Sequence, residues 1–165
     1  RAGCLRGHGG LMEIPIEYPL DADGFLRREC PNCEREFKWH HGQTESAPTG
    51  YVYPDLYFCP RCGKAAGDDS WWTAEQIAYQ REVAQRAAHS ALGDLLKDTF
   101  GSNRPNSMIK FEVEHSSDPS EPHSLTEPDD MIMIAPPCHS WEPVKVPVDA
   151  TAPYFCLLCG SMYAV

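Results

Sequence analysis

The hydrophobic pattern changes three times along the chain. Residues 12–24 alternate weakly and carry Pro15 and Pro19, which excludes a central strand and predicts an extended edge segment closed by a turn at Asp23-Gly24. Residues 25–29, 51–53 and 56–58 are short strand-like runs, each ending close to a pair of cysteines or a turn. Residues 73–100 switch to the helical period, with Ile77, Ala84, Ala88, Ala91 and Leu95 on one stripe and Val83, Ala87 and Leu92 widening it. Thr73 and Gln76 have the spacing of a capping box, and Gly101 supplies a stop. Such a helix is roughly 42 Å long at 1.5 Å per residue. Trp71 and Trp72, just before the cap, are expected packing anchors.

Strict alternation returns at residues 108–115, with Ile109, Phe111 and Val113 on one face, predicting a strand. Residues 116–130 hold three prolines and five acids without a basic residue and predict a loop. Residues 131–134, Met-Ile-Met-Ile, are apolar on both faces and predict a strand that is buried or at an interface. Strand-like residues 143–147 and 154–155 follow, separated by the turn-like stretch 149–152.

Cysteine placement gives these short strands a purpose. Eight cysteines occupy positions 4, 30, 33, 59, 62, 138, 156 and 159, and six of them fall in three Cys-x-x-Cys pairs. Cys30-Pro31-Asn32-Cys33 and Cys59-Pro60-Arg61-Cys62 are separated by 25 residues. Strand-like residues precede each pair and turn-like residues follow, with Gly63 and Gly160 directly after two of them. This is the layout of a metal knuckle, in which backbone N–H groups point at thiolate sulfur and glycine accepts a positive φ. Four thiolates suit tetrahedral Zn²⁺ in a closed structural site, so Cys30, Cys33, Cys59 and Cys62 are the expected first ligand set.

With Cys30-Pro31-Asn32-Cys33, Phe37 and Cys59-Pro60-Arg61-Cys62-Gly63, residues 25–66 resemble the zinc-ribbon superfamily, whose members have many functions. The first knuckle departs from that pattern in carrying Glu34 where glycine is usual, which predicts a slightly strained turn. A second, contracted ribbon is expected around Cys138, His139, Cys156 and Cys159, giving a Cys₃His set, with 16 residues between His139 and Cys156. Adjacent ligands need a sharp turn after Pro137. Glu142, His123, His115, Cys4 or water are the rivals for the fourth place. His40 and His41 read as loop histidines.

The expected architecture is therefore a small, metal-stabilised α+β fold. Residues 1–24 form a flexible leader and edge segment, 25–66 a first ribbon, 70–101 a long amphipathic helix and 107–165 a second ribbon with extended sheet. Two zinc-ribbon hairpin modules are joined by the helix, which packs across the ribbons or against another copy.

Charge narrows the functions. Against 14 Lys and Arg stand 24 Asp and Glu, a net −10, and residues 101–165 hold 9 acids to 3 bases. That balance opposes non-specific nucleic-acid binding, which draws its energy from cations on phosphates. The modest basic cluster is Arg27, Arg28, Arg35 and Lys38, with Arg61 and Lys64 on the first ribbon. No apolar run spans a membrane and no secretory signal is expected, so abundant unpaired cysteine points to a reducing compartment such as the cytoplasm.

Catalytic signatures are missing: no Gly-rich phosphate loop, no GxSxG, no HExxH and no His-x-Glu for a zinc deaminase. The expected function is a non-catalytic double zinc-ribbon protein holding two structural Zn²⁺ ions, acting as a protein–protein adaptor or assembly subunit, with itself as one partner through the helix. The acidic surface, the Ala-faced helix and the aromatics Trp39, Tyr51, Tyr53 and Trp141, read as exposed, point that way. A nucleic-acid-binding or transcription-associated ribbon is the alternative. A rubredoxin-like electron carrier, with iron on the first four cysteines, is the third reading.

Overall fold

A computed structural model describes residues 14–40, 42–100 and 124–165, with side chains in the helix up to residue 96. The expected strand at 108–115, most of the 116–130 loop, and Cys4, His41, His115 and His123 lie outside the described residues. Among the described residues there are eight short strands: β1 Leu26–Glu29, β2 Glu36–Trp39, β3 Leu56–Phe58, β4 Ala65–Gly67, β5 Met131–Ile134, β6 Val144–Pro147, β7 Tyr154–Phe155 and β8 Met162–Tyr163. A 3₁₀ turn at Asp68–Ser70 leads to the helix α1, Ala74–Phe100. The fold is small and α+β, with one α-helix and antiparallel sheets among the described residues.

The chain divides into two compact units, one being Tyr18–Gln76 with Leu125–Val165 and the other including α1 from Ile77 onward. The first unit holds every described strand. Its main sheet has the order β1-β2-β6-β5, with β3-β4 and β7-β8 as two-stranded companions. The two hairpins that the sequence suggests as separate modules thus share one sheet. β2 and β6 meet at a single register, Lys38 opposite Lys145.

Hydrophobic burial explains which face of the sheet turns inward. Phe37 and Trp39 on β2, Val144 and Val146 on β6 and Ile134 on β5 join Tyr57, Trp71, Tyr154, Leu157 and Leu158 in one core. Trp71 is fully buried, its ring edge-on to Phe37 with centroids 5.6 Å apart. Trp72 stacks on Tyr18 at 5.1 Å and carries the buried Arg28 guanidinium 4.2 Å above its ring. Both tryptophans therefore anchor the segment that enters the helix. Trp39 is buried, with Nε1 donating to Glu142 at 2.7 Å, which corrects the reading of Trp39 as a surface aromatic. β5 keeps Met131 and Ile134 inside but exposes Ile132 and Met133.

The opposite face of the β2–β6 junction is ionic. Lys38 and Lys145 are both buried, though like charges opposed across a ladder repel. Two acidic segments cover them. Asp21 Oδ2 lies 3.3 Å from Lys38 Nζ and 2.8 Å from Lys145 Nζ, bridging the pair. Lys38 also meets Glu127 and Asp130, each at 3.0 Å, and donates to the Pro128 carbonyl. Lys145 meets Asp23 at 2.6 Å and Asp129 at 3.0 Å. Asp21 is fixed by its own turn, because its Oδ1 accepts the Phe25 amide at 2.9 Å. Burial raises the Asp21 pKa, but Lys145, the Phe25 amide and Lys38 outweigh it and the net shift is downward.

The capping box forms as the spacing suggests. Gln76 N donates to Thr73 Oγ1 and Thr73 N donates to Gln76 Oε1, both at 3.1 Å. Gln76 Nε2 then donates to the Arg27 carbonyl at 2.9 Å, tying the first turn of the helix to β1. From residue 77 to 96 no helix residue is buried, and Ile77, Ala84, Ala88, Ala91 and Leu95 are all exposed.

Lys145→Met leaves Asp23 and Asp129 without their cation and Asp21 with Lys38 alone, and is expected to destabilise the fold by about 3–5 kcal/mol, measured by denaturant unfolding. Asp21 has a folded pKa below its unfolded value. Its stabilising effect is therefore present above the ordinary aspartate range and is lost as pH falls through the lowered pKa. Comparison of Asp21→Asn with the parent across pH 3–6 checks this: the stability gap should close towards the acid end.

Candidate metal centres

Three knuckles repeat one backbone pattern. The amide of the first cysteine donates five residues ahead: Cys30 to Arg35 O at 3.2 Å, Cys59 to Lys64 O and Cys156 to Ser161 O at 2.9 Å. Four residues after each first cysteine an amide returns to its carbonyl, from Glu34, Gly63 and Gly160. Amides inside the loops face sulfur, Asn32 N lying 3.4 Å from Cys30 Sγ and Arg61 N 3.3 Å from Cys59 Sγ. The returning residue takes a left-handed conformation, with φ +70° at both glycines and 56° at Glu34. The strain expected from Glu34 is thus located in its backbone.

These turns gather the predicted ligands into two groups. Cys30, Cys33, Cys59 and Cys62 form one, and Cys138, His139, Cys156 and Cys159 the other, with all ligand atoms within 4.8 Å of one another in each. In the first, Cys30–Cys62 and Cys33–Cys59 sulfurs are 3.7 and 3.9 Å apart. In the second, Cys138 and Cys159 sulfurs are 3.6 Å apart and His139 Nδ1 is 3.3 Å from Cys156 Sγ. A tetrahedron with 2.3 Å metal–sulfur bonds has edges of about 3.8 Å. A disulfide would need sulfurs at about 2.0 Å. The spacing is that of a metal tetrahedron, and the described cysteines are unpaired.

The second group begins with the sharp turn that adjacent ligands require. His139 N donates to the Pro136 carbonyl at 3.2 Å and Glu142 N to the His139 carbonyl at 2.9 Å. Glu142 itself is engaged elsewhere, accepting from Trp39 Nε1 at 2.7 Å and from Tyr53 Oη at 3.3 Å. Burial pushes its pKa up to about 6, with those two hydrogen bonds opposing. His139 packs edge-on to Trp141 and Tyr51, and Tyr51 in turn to Tyr53. Tyr51, Tyr53 and Trp141 are thus partly buried around the second centre rather than displayed. His40 joins neither group and faces Glu142, its Nε2 3.6 Å from Oε1.

The two centres touch through their knuckles. Phe58, just before Cys59, lies against Gly160, where an added Cβ would sit 2.7 Å from its ring. Phe155, just before Cys156, lies against Gly63 with the same 2.7 Å clearance. Phe58 N donates to the Leu157 carbonyl at 2.8 Å and Phe155 N to the Pro60 carbonyl at 3.0 Å. Each carbonyl lies inside the opposite Cys-x-x-Cys loop. The signal was present in the sequence, where Tyr-Phe-Cys-x-x-Cys-Gly stands at 57–63 and again at 154–160.

The basic cluster on the first ribbon is absorbed only in part, with Arg35 and Lys64 left exposed and Arg61 half-buried. Arg28 and Lys38 are buried. Arg27 pairs with Glu36 and Asp130, each at 2.7 Å, and with Glu127 at 3.3 Å.

No protein-family model, curated protein or solved structure matches the chain. Among the described residues no helix is long and apolar enough to cross a membrane.

As free thiols, Cys59 and Cys156 have pKa values raised, first by burial, with Cys156 pushed up to about 12. A metal must displace their protons, so binding releases protons and weakens as pH falls. Titration of metal-free protein in weak buffer should show that release together with a falling affinity below neutrality. Gly160→Ala and Gly63→Ala add a Cβ both at positive φ and into the opposing Phe ring, and each should destabilise by about 2 kcal/mol or more in thermal unfolding. Glu34→Gly, where only the backbone is strained, should stabilise by about 1 kcal/mol in the same assay.

Proposed function

We propose that the chain is a non-catalytic double zinc-ribbon protein that works as a protein–protein adaptor or assembly subunit. Cys30, Cys33, Cys59 and Cys62 hold one structural Zn²⁺, and Cys138, His139, Cys156 and Cys159 hold the other. A mixed sulfur and imidazole tetrahedron suits Zn²⁺. With four protein ligands, neither ion keeps an open position for substrate water, which favours a structural role over hydrolysis.

The observation that carries the adaptor reading is the exposed apolar stripe along the helix. A stripe of Ile77, Ala84, Ala88, Ala91 and Leu95 at helical period is the pattern of a face that packs, yet no residue from 77 to 96 is buried. Small residues there admit close approach of a second helix. A partner protein, or a second copy of this chain, is the surface that face suits. The nucleic-acid alternative draws on the cations of the first ribbon, of which Arg27, Arg28 and Lys38 are committed to internal contacts and Arg35 and Lys64 stay exposed.

Elemental analysis of the purified chain should find two zinc per molecule and a colourless solution; one red, iron-containing centre would sink the zinc assignment in favour of electron transfer. The adaptor role is checked by light scattering and by affinity capture from native cells, using the parent and Ala88→Glu/Leu95→Glu. The parent should self-associate or retain a defined partner that the variant loses at unchanged zinc content. A parent that stays monomeric and captures nothing the variant does not would overturn this role.

A further inference from the structure

We propose that Cys138 and Cys159 form an oxidant-sensitive pair, which hydrogen peroxide or a similar two-electron oxidant closes into a disulfide, discharging metal from the second centre alone. The inference rests on the zinc reading of that centre. Both cysteines are exposed and their sulfurs lie 3.6 Å apart, so a closure of about 1.6 Å completes the bond.

The first centre provides the internal contrast. Its closest sulfur pairs, at 3.7 and 3.9 Å, are nearly as short. Each of those pairs includes a fully buried cysteine, Cys30 in one and Cys59 in the other, and their partners are half-buried. Distance therefore does not separate the centres, whereas access for an oxidant does. Oxidation of cysteine follows thiolate character and exposure, and metal-bound cysteine is thiolate. Only the second centre offers two exposed thiolates side by side. Its other ligands, Cys156 and His139, are buried and half-buried and stay behind.

The chemistry balances with one peroxide. One exposed thiolate attacks a peroxide oxygen, the O–O bond breaks, and a sulfenic acid and a hydroxide result. The second thiolate attacks that sulfur, the S–S bond forms, the S–O bond breaks and a second hydroxide leaves. Two thiolates and one peroxide thus give one disulfide and two hydroxides: the peroxide gains the two electrons that the sulfur pair loses. The metal is left with two protein ligands, Cys156 and His139, too few for a structural tetrahedron. Because Leu157 and Gly160 are the docking points for Phe58, the change is felt at the opposite knuckle, but the four thiolates of the first centre remain intact.

The full chain, reduced and zinc-loaded, is treated with hydrogen peroxide while a chromophoric indicator follows free zinc, and samples are mapped by mass spectrometry without reduction. The expected result is one zinc released per chain, at least about tenfold faster than the second zinc, with a Cys138–Cys159 cross-linked peptide and reduced Cys30, Cys33, Cys59 and Cys62. Release of both ions at one rate, a disulfide that joins Cys156 in place of Cys138, or retention of both ions overturns the proposal. A reduced chain that holds only one zinc before oxidant is added overturns the zinc reading of the second centre, and this inference with it.

Discussion

Two lysines facing each other across β2 and β6 set the terms for the rest of the β body. The register Lys38 opposite Lys145 joins the two ribbon halves into one sheet, and it places two ammonium groups on a buried face. Left alone, that arrangement would separate the strands. It is compatible with folding because Asp21 lies between the two cations while Asp23, Glu127, Asp129 and Asp130 surround them. Segments distant in sequence, one ahead of β1 and the other ahead of β5, must both be in place before the sheet is neutral. Ionic pairing of this kind adds little net stability compared with an apolar core, but it disfavours any register in which the charges are not matched.

On the other face of the sheet the joining is apolar and runs through the cysteine knuckles. The knuckles at 59–62 and 156–159 exchange a backbone hydrogen bond and a ring-on-glycine contact in each direction. A ring this close to a Cα leaves no room for Cβ, so glycine at 63 and 160 is required by packing as well as by φ. Two small ligand sets thereby support one core. The resulting body buries Trp39, Trp71 and Phe37 completely, more than an isolated hairpin of this size covers.

Exposure then distinguishes what the two centres are suited to. The first is enclosed by buried Cys30 and Cys59, and the second presents Cys138 and Cys159 to solvent beside a partly buried aromatic cluster. The helix carries an apolar stripe at helical period whose residues are exposed.

Much of this was legible from residue order because it is local. The capping box at Thr73 and Gln76, the left-handed turn at Glu34, the knuckle at Cys59 and the tryptophan anchors all depend on neighbours a few residues away. The first ligand group was also readable, since two Cys-x-x-Cys pairs leave few alternatives, whereas the fourth member of the second stayed open until the fold brought His139 to it. What needed tertiary structure were the choices that depend on residues far apart. The lone lysines in Phe37-Lys38-Trp39 and Val144-Lys145-Val146 look like ordinary solvent-facing strand positions, and only the β2–β6 register buries them. Arg28 likewise reads as surface charge until Trp72 covers it, and Trp39 reads as exposed until Glu142 accepts its indole N–H. The sequence by itself determined that Cys30, Cys33, Cys59 and Cys62 would gather and that Cys138, Cys156 and Cys159 could form a second group; the tertiary structure decided that His139 completes that group and that the two hairpins share one sheet, because strand pairing and charge neutralisation depend on partners as far as 124 residues apart.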